Sequence, residues 1–182
     1  LYLYHERGFT LQETLTFFIF YSAIFAIVTP AAAKFAARFG VKHSVLISVP
    51  FYLAFVSLLY ALPYFNIPLI VIGTLLGISQ AFYWMGMHLV FFNASDHKHR
   101  GEEVGKRGGF SIFGALFGPL LGGILISSVG FNLVFCLAGG FLLLAAIILF
   151  RSKEKHTRYH FSVRSVINKK HWRDSLYFVS SG

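Results

Sequence analysis

The chain reads as an all-α protein, a polytopic bundle of membrane-crossing helices, and three observations lead there. Hydrophobic residues fill 56% of its 182 positions and charged residues 13%, a balance foreign to a soluble domain. The charges cluster, leaving runs without Asp, Glu, Lys or Arg of 20 residues between Glu13 and Lys34, 52 between His43 and Asp96, and 43 between Arg107 and Arg151. The last run holds Gly114, Gly118, Pro119, Gly122 and Gly123, where a loosened backbone needs partners that water cannot supply in lipid. A crossing takes about 20 apolar residues, so the first run supplies one. The other two would measure roughly 78 and 65 Å as single helices, over twice the roughly 30 Å hydrocarbon core, so each turns back once. Five crossings are expected.

Residues 1–13 form a short polar segment with interfacial aromatics, read as the outer end of a preceding helix and its loop. The first crossing is expected at about 14–37, running from Phe17-Phe18-Ile19-Phe20 to Pro30 and a string of alanines that permits tight packing. Arg38 to His43 is a basic turn. The second and third crossings fall at about 45–64 and 69–92, joined by an uncharged turn with Pro63, Asn66 and Pro68. A hydrophilic loop fills 93–109. The fourth and fifth fall at about 110–129 and 133–150, with Gly130-Phe131-Asn132 turning the chain between them. Residues 151–182 are a basic segment ending in the apolar Leu176-Tyr177-Phe178-Val179, read as a loop entering a truncated next helix of a longer polypeptide.

Charge sets the expected orientation. The basic turn after the first crossing carries +3, the loop at 96–107 carries +1 and the segment from Arg151 carries +6, whereas residues 1–13 carry −1 and the other turns nothing. All three basic segments fall on one side if there are five crossings, and that side is the cytoplasmic one. The net charge of +9 thus follows the inside-positive rule, and no nucleic-acid module accompanies it. Cys136 is the single cysteine, so no disulfide framework or thiolate metal site is expected. Nothing calls for a cofactor. Asp96, His97, His99, Glu102 and Glu103 are interspersed with Lys98 and Arg100, which reads as solvated charge rather than a metal cluster.

Two stretches bear on function. On the third crossing Gly73, Gly77, Gln80, Trp84 and His88 fall within an arc of about 80°, with Tyr83 beside them. That stripe reads either as a cavity lining or as a packing seam built on Gly73 and Gly77. His88 is the one ionisable side chain well inside a crossing, so it is a candidate for function, although at about 7 Å from the loop it can also meet interfacial water. On the fourth crossing Gly114, Gly118 and Gly122 stand four apart, a bare stripe that a neighbouring helix can approach, while Pro119 bends the helix.

The spacing G-x-x-x-G-P-x-x-G-G at 114–123 resembles the fifth-helix signature of the major facilitator superfamily, associated most often with its exporters and antiporters. Arg38, Gly40 and Lys42 resemble part of the family's motif between its second and third helices, with Ala33, Ala37 and Val41 departing from the usual glycine, aspartate and arginine. Asp96 and Arg100-Gly101 look like the acidic and arginine-glycine pair that follows the fourth helix in many members. The resemblance implies helices two to six of a twelve-helix transporter, most of one six-helix half, plus the central cytoplasmic loop. It implies alternating-access transport of a small molecule, more in keeping with export, in the plasma membrane and without enzymatic chemistry. Tyr21, Gln80, Tyr83, Trp84 and His88 would face the cargo, and Arg38, Gly40, Lys42, Asp96 and Arg100 would form the cytoplasmic gate. The implied partners are membrane lipid, the cargo and the other half of the same polypeptide. A membrane-embedded lipid-modifying enzyme and a non-transporting scaffold or receptor stand as alternatives.

Overall fold

A computed structural model describes residues 2–94 and 100–152. All regular structure among them is helical: a π-helical turn at Tyr2–Glu6, then α1 (Leu11–Phe39), α2 (Val41–Ala61), α3 (Leu69–Ala94) and α4 (Arg100–Arg151). Each of the four α-helices is long and apolar enough to cross a membrane, and the chain is a multi-pass membrane protein. The basic segment beyond Ser152 lies outside the described residues.

Local chemistry fixes where α1 begins and ends. Thr10 and Glu13 cap its start reciprocally: the Glu13 N–H donates to Thr10 Oγ1 at 3.2 Å and the Thr10 N–H to Glu13 Oε2 at 2.8 Å. At the other end Gly40 alone separates α1 from α2, with φ 97° and ψ 158°. That conformation is essentially reserved for glycine, so two helices can meet with one residue between them. The turn expected at 38–43 is therefore shorter than the charges imply, and Val41 to His43 already belong to α2.

α3 lies between α1 and α2, and glycines let it sit close to both. A Cβ on Gly77 would stand 2.8 Å from the Tyr21 carbonyl oxygen of α1, and one on Gly86 would stand 2.5 Å from Val45 Cγ2 of α2. Two buried serines cross the α2–α3 seam: Ser44 Oγ donates to the Phe82 carbonyl at 3.1 Å, and Ser79 Oγ to the Ser48 carbonyl at 2.9 Å. Hydrogen bonds and small residues are what hold helices together where lipid and side chain are equally apolar. The alanines after Pro30 serve the same end, with Ala32, Ala33 and Ala36 all but fully buried.

α4 is 52 residues long, with one break at Gly130, where φ is 76° and ψ is 170°. The contacts of the half after the break, together with where the first half begins, show that the direction reverses there. Phe131 packs 4.9 Å from the ring of Tyr2, whose hydroxyl donates to the Leu59 carbonyl near the end of α2. At the far end Lys42, at the start of α2, donates to the carbonyls of Phe150 and Ser152. Residues 131–151 thus run antiparallel to α2, while residues 100–129 begin after the five residues that follow α3 and end beside Phe131. The break falls inside the turn expected at 130–132, but no loop is needed because one glycine suffices.

Two expectations need correction. The hydrophilic loop assigned to 93–109 is helical from Arg100 onward, supported by Glu102 and Glu103 in the first turn and by a Glu102–Lys106 ion pair at 2.7 Å, spaced four apart. The glycine face of α4 is not packed among the described residues. A Cβ on Gly114, Gly118, Gly122 or Gly123 would meet nothing within 4 Å, and every residue from 109 to 121 is exposed. The stripe itself is present, but no neighbouring helix in this part of the chain covers it.

Candidate functional site

The polar stripe of α3 does not face one way. Gly73 and Gly77 lie against α1, where a Cβ would stand 3.1 Å from the Phe17 carbonyl and 2.8 Å from that of Tyr21. This is the packing seam, and it takes Tyr21 with it: the backbone of Tyr21 lies under both glycines and its ring is 6.3 Å from Phe25. Tyr21 accordingly sits on the α1–α3 interface, apart from Gln80 and Tyr83. An 80° arc is wide enough for one end to meet a neighbour while the other meets open space, and the choice is made by where α1 lies.

Gln80 and Tyr83 instead line a cleft of about 370 Å³ between α2, α3 and the 131–151 half of α4. Ser48 and Tyr52 of α2, Ser79 of α3 and Phe141 of α4 share it. The two serines are already satisfied, Ser79 by the Ser48 carbonyl and Ser48 by the Val45 carbonyl at 2.6 Å. The side chains of Gln80, Tyr52 and Tyr83 make no hydrogen bond among the described residues. Tyr52 and Phe141 were absent from the sequence reading. Ser48 and Tyr52 stand four apart on one face of α2, a pattern that could have flagged them; Phe141 carries no local mark.

Trp84 and His88 continue from Tyr83 as a ladder of rings. Tyr83 and Trp84 are 5.6 Å apart between centroids and nearly perpendicular, Trp84 and His88 are 5.7 Å apart at 30°. Both are exposed and neither lines the cleft. Four of the five expected cavity residues are thus on α3, but only two of them share the cleft.

At the opposite end of α2 from Tyr2 stand the residues read as a gate. The Arg38 guanidinium is exposed and lies 5.3 Å from the centroid of the Phe39 ring. Gly40 makes the sharp link already described. The Lys42 ammonium donates to the carbonyls of Phe150 and Ser152 at 2.7 Å each, a link between α2 and the end of α4 that sequence alone did not indicate. Arg100 opens α4, and Asp96 lies outside the described residues.

Comparison with known proteins adds a family to this geometry. The family model described as Major Facilitator Superfamily matches residues 1–180. Among curated proteins, "Uncharacterized protein YqgE" of Bacillus subtilis (strain 168) is 27% identical over 150 residues, covering 78% of this chain and 34% of that protein. "Putative metabolite transport protein YyaJ" of the same organism is 24% identical over 147 residues, covering 81% of this chain and 32% of that protein. The chain therefore spans about a third of the length of these relatives. No solved structure matches it significantly.

Proposed function

Because the chain belongs to the Major Facilitator Superfamily, we propose that it forms part of a secondary transporter that carries a small molecule across the plasma membrane by alternating access, as an exporter or antiporter. The observation that carries this reading is the family match over residues 1–180. Support also comes from a relative whose name refers to metabolite transport. In this reading α1, α2, α3 and the two halves of α4 make five crossings, and the end bearing Arg38, Lys42 and Arg151 is cytoplasmic, as the excess of basic residues there favours.

Gln80 and Tyr83 contribute to the cargo cleft, and Trp84, His88 and Tyr21 flank it. Arg38, Gly40, Lys42, Asp96 and Arg100 belong to the cytoplasmic gate. The uncovered glycine face at 114–122, with Pro119 and Gly123, packs against the part of the polypeptide that the relatives possess and this chain does not span. Export is favoured over import because the G-x-x-x-G-P-x-x-G-G motif is complete.

Flux measured with the full-length protein in sealed vesicles, with and without an imposed proton gradient, tests the reading. Net movement of a small molecule that depends on the protein is expected, and Gly118→Leu abolishes it while the variant still inserts into the membrane. Full flux through Gly118→Leu removes the seam from the mechanism; a protein that inserts and folds but moves no solute from a metabolite panel overturns transport.

A further inference from the structure

We infer that the cleft between α2, α3 and the 131–151 half of α4 selects an uncharged aromatic solute bearing an amide, carbonyl or hydroxyl group, a conclusion about cargo that rests on the transporter reading. Three side chains with hydrogen-bonding capacity converge there without partners among the described residues: the Gln80 amide and the Tyr52 and Tyr83 phenols. An amide offers two donors and an acceptor, and each phenol offers one of each. Inside a bilayer such groups are costly to leave unpaired, so an occupant that pairs them is favoured over an empty or purely apolar one.

The rest of the lining limits what that occupant is. Among the described residues eight line the cleft, and none of them is Asp, Glu, Lys, Arg or His. A carboxylate or ammonium group entering would shed its hydration with no opposite charge to meet it, and that cost selects against ions. The serines have no proton left to offer the ligand, since both hydroxyls donate to the α2 backbone. Phe141 and the rings of Tyr52 and Tyr83 supply aromatic faces, which favour offset or edge-on contact with a second ring. A volume of about 370 Å³ admits a small aromatic solute without rearrangement of the helices.

A matched set of probes separates charge from shape: 4-hydroxybenzamide, the 4-hydroxybenzoate anion and the 4-hydroxybenzylammonium cation, each added to the full-length protein in detergent. Saturable elevation of the thermal midpoint by the amide, and little by either ion, is the expected result. Gln80→Ala weakens the amide about tenfold and Tyr83→Phe or Tyr52→Phe by less, the scale of one lost neutral hydrogen bond. Gln80→Glu moves the preference toward the cation, a change that a purely structural role for Gln80 does not produce. Binding of all three alike, binding of none, or an amide affinity indifferent to all of these substitutions overturns the inference. Vesicle flux is read separately: selective binding without flux overturns transport and leaves the cleft chemistry standing, whereas flux of ions unaffected by Gln80→Ala does the reverse.

Discussion

Lys42 and Phe150 are joined twice: the Lys42 ammonium donates to the Phe150 carbonyl at 2.7 Å and lies 5.5 Å from the centroid of the same residue's ring. It makes a further 2.7 Å bond to the Ser152 carbonyl. The last carbonyls of a helix have no partner of their own and carry partial negative charge, so a lysine there answers both needs. A residue that the family resemblance assigns to the gate thereby also ties the start of α2 to the end of α4.

Lys42→Met keeps the aliphatic stem and removes the ammonium. The expected loss is about 1 kcal/mol, in line with a cation at a helix C-terminus. Amide exchange in the last turn of α4, including the Ser152 N–H bonded to the Ile148 carbonyl, accelerates while exchange in α3 does not. Unchanged protection at 148–152 counts against the tie.

Gly77 and Gly114 separate packing from composition. Gly77→Ala brings a methyl to 2.8 Å from a backbone oxygen and 3.0 Å from Ile24 Cβ, neither of which can swing aside. Destabilisation of about 1–3 kcal/mol is expected. Gly114→Ala meets nothing within 4 Å in the described bundle, so its effect on α1–α3 is nil and any loss of activity reports a partner outside that bundle. The check is thermal unfolding of both variants beside vesicle flux.

Gly40→Ala places a Cβ at φ 97° and ψ 158° in a position that is already buried. The backbone strain alone is about 1–3 kcal/mol. Gly105→Ala is the control, since Gly105 is helical with open space around it and alanine is the better helix former by about 1 kcal/mol. Opposite shifts of the unfolding midpoint are expected for the two variants.

Ser79→Ala deletes the hydroxyl that bonds the Ser48 carbonyl across the α2–α3 seam. Interhelical hydrogen bonds in bilayers average about 0.6 kcal/mol, so a small loss is expected. A double-mutant cycle with Gln80→Ala gives no coupling if the serine is structural and Gln80 serves the cleft; a coupling well above that average contradicts the division of roles.

The all-helical membrane fold was legible in the spacing of charges, because a bilayer leaves few alternatives to a helix over 20 apolar residues. The reversal near Gly130 was legible for the same reason, since 43 uncharged residues exceed one crossing. Thr10-x-x-Glu13 has the capping-box pattern too, but the expectations for residues 1–13 did not draw on it. The start of α4 at Arg100 was not legible, because charged residues suit a solvated helix as well as a loop. The division of the α3 stripe was hidden for a different reason: periodicity says which residues share a face, and only the position of α1 decides that Gly77 meets a neighbour while Gln80 meets the cleft. Tyr52 and Phe141 come from separate helices, and no one-dimensional pattern brings them together.

The glycine contacts of α3 also bear on the order of biogenesis. A polytopic chain leaves the ribosome from its amino terminus, and earlier segments begin to associate before later ones exist. Gly73, Gly77 and Gly86 all find their partners in helices translated before them. Spans α1, α2 and α3 can therefore interlock as soon as α3 is inserted, since none of the three glycines needs a contact from α4. A nascent chain arrested once α3 has cleared the ribosome and entered the membrane should already hold these three helices packed together.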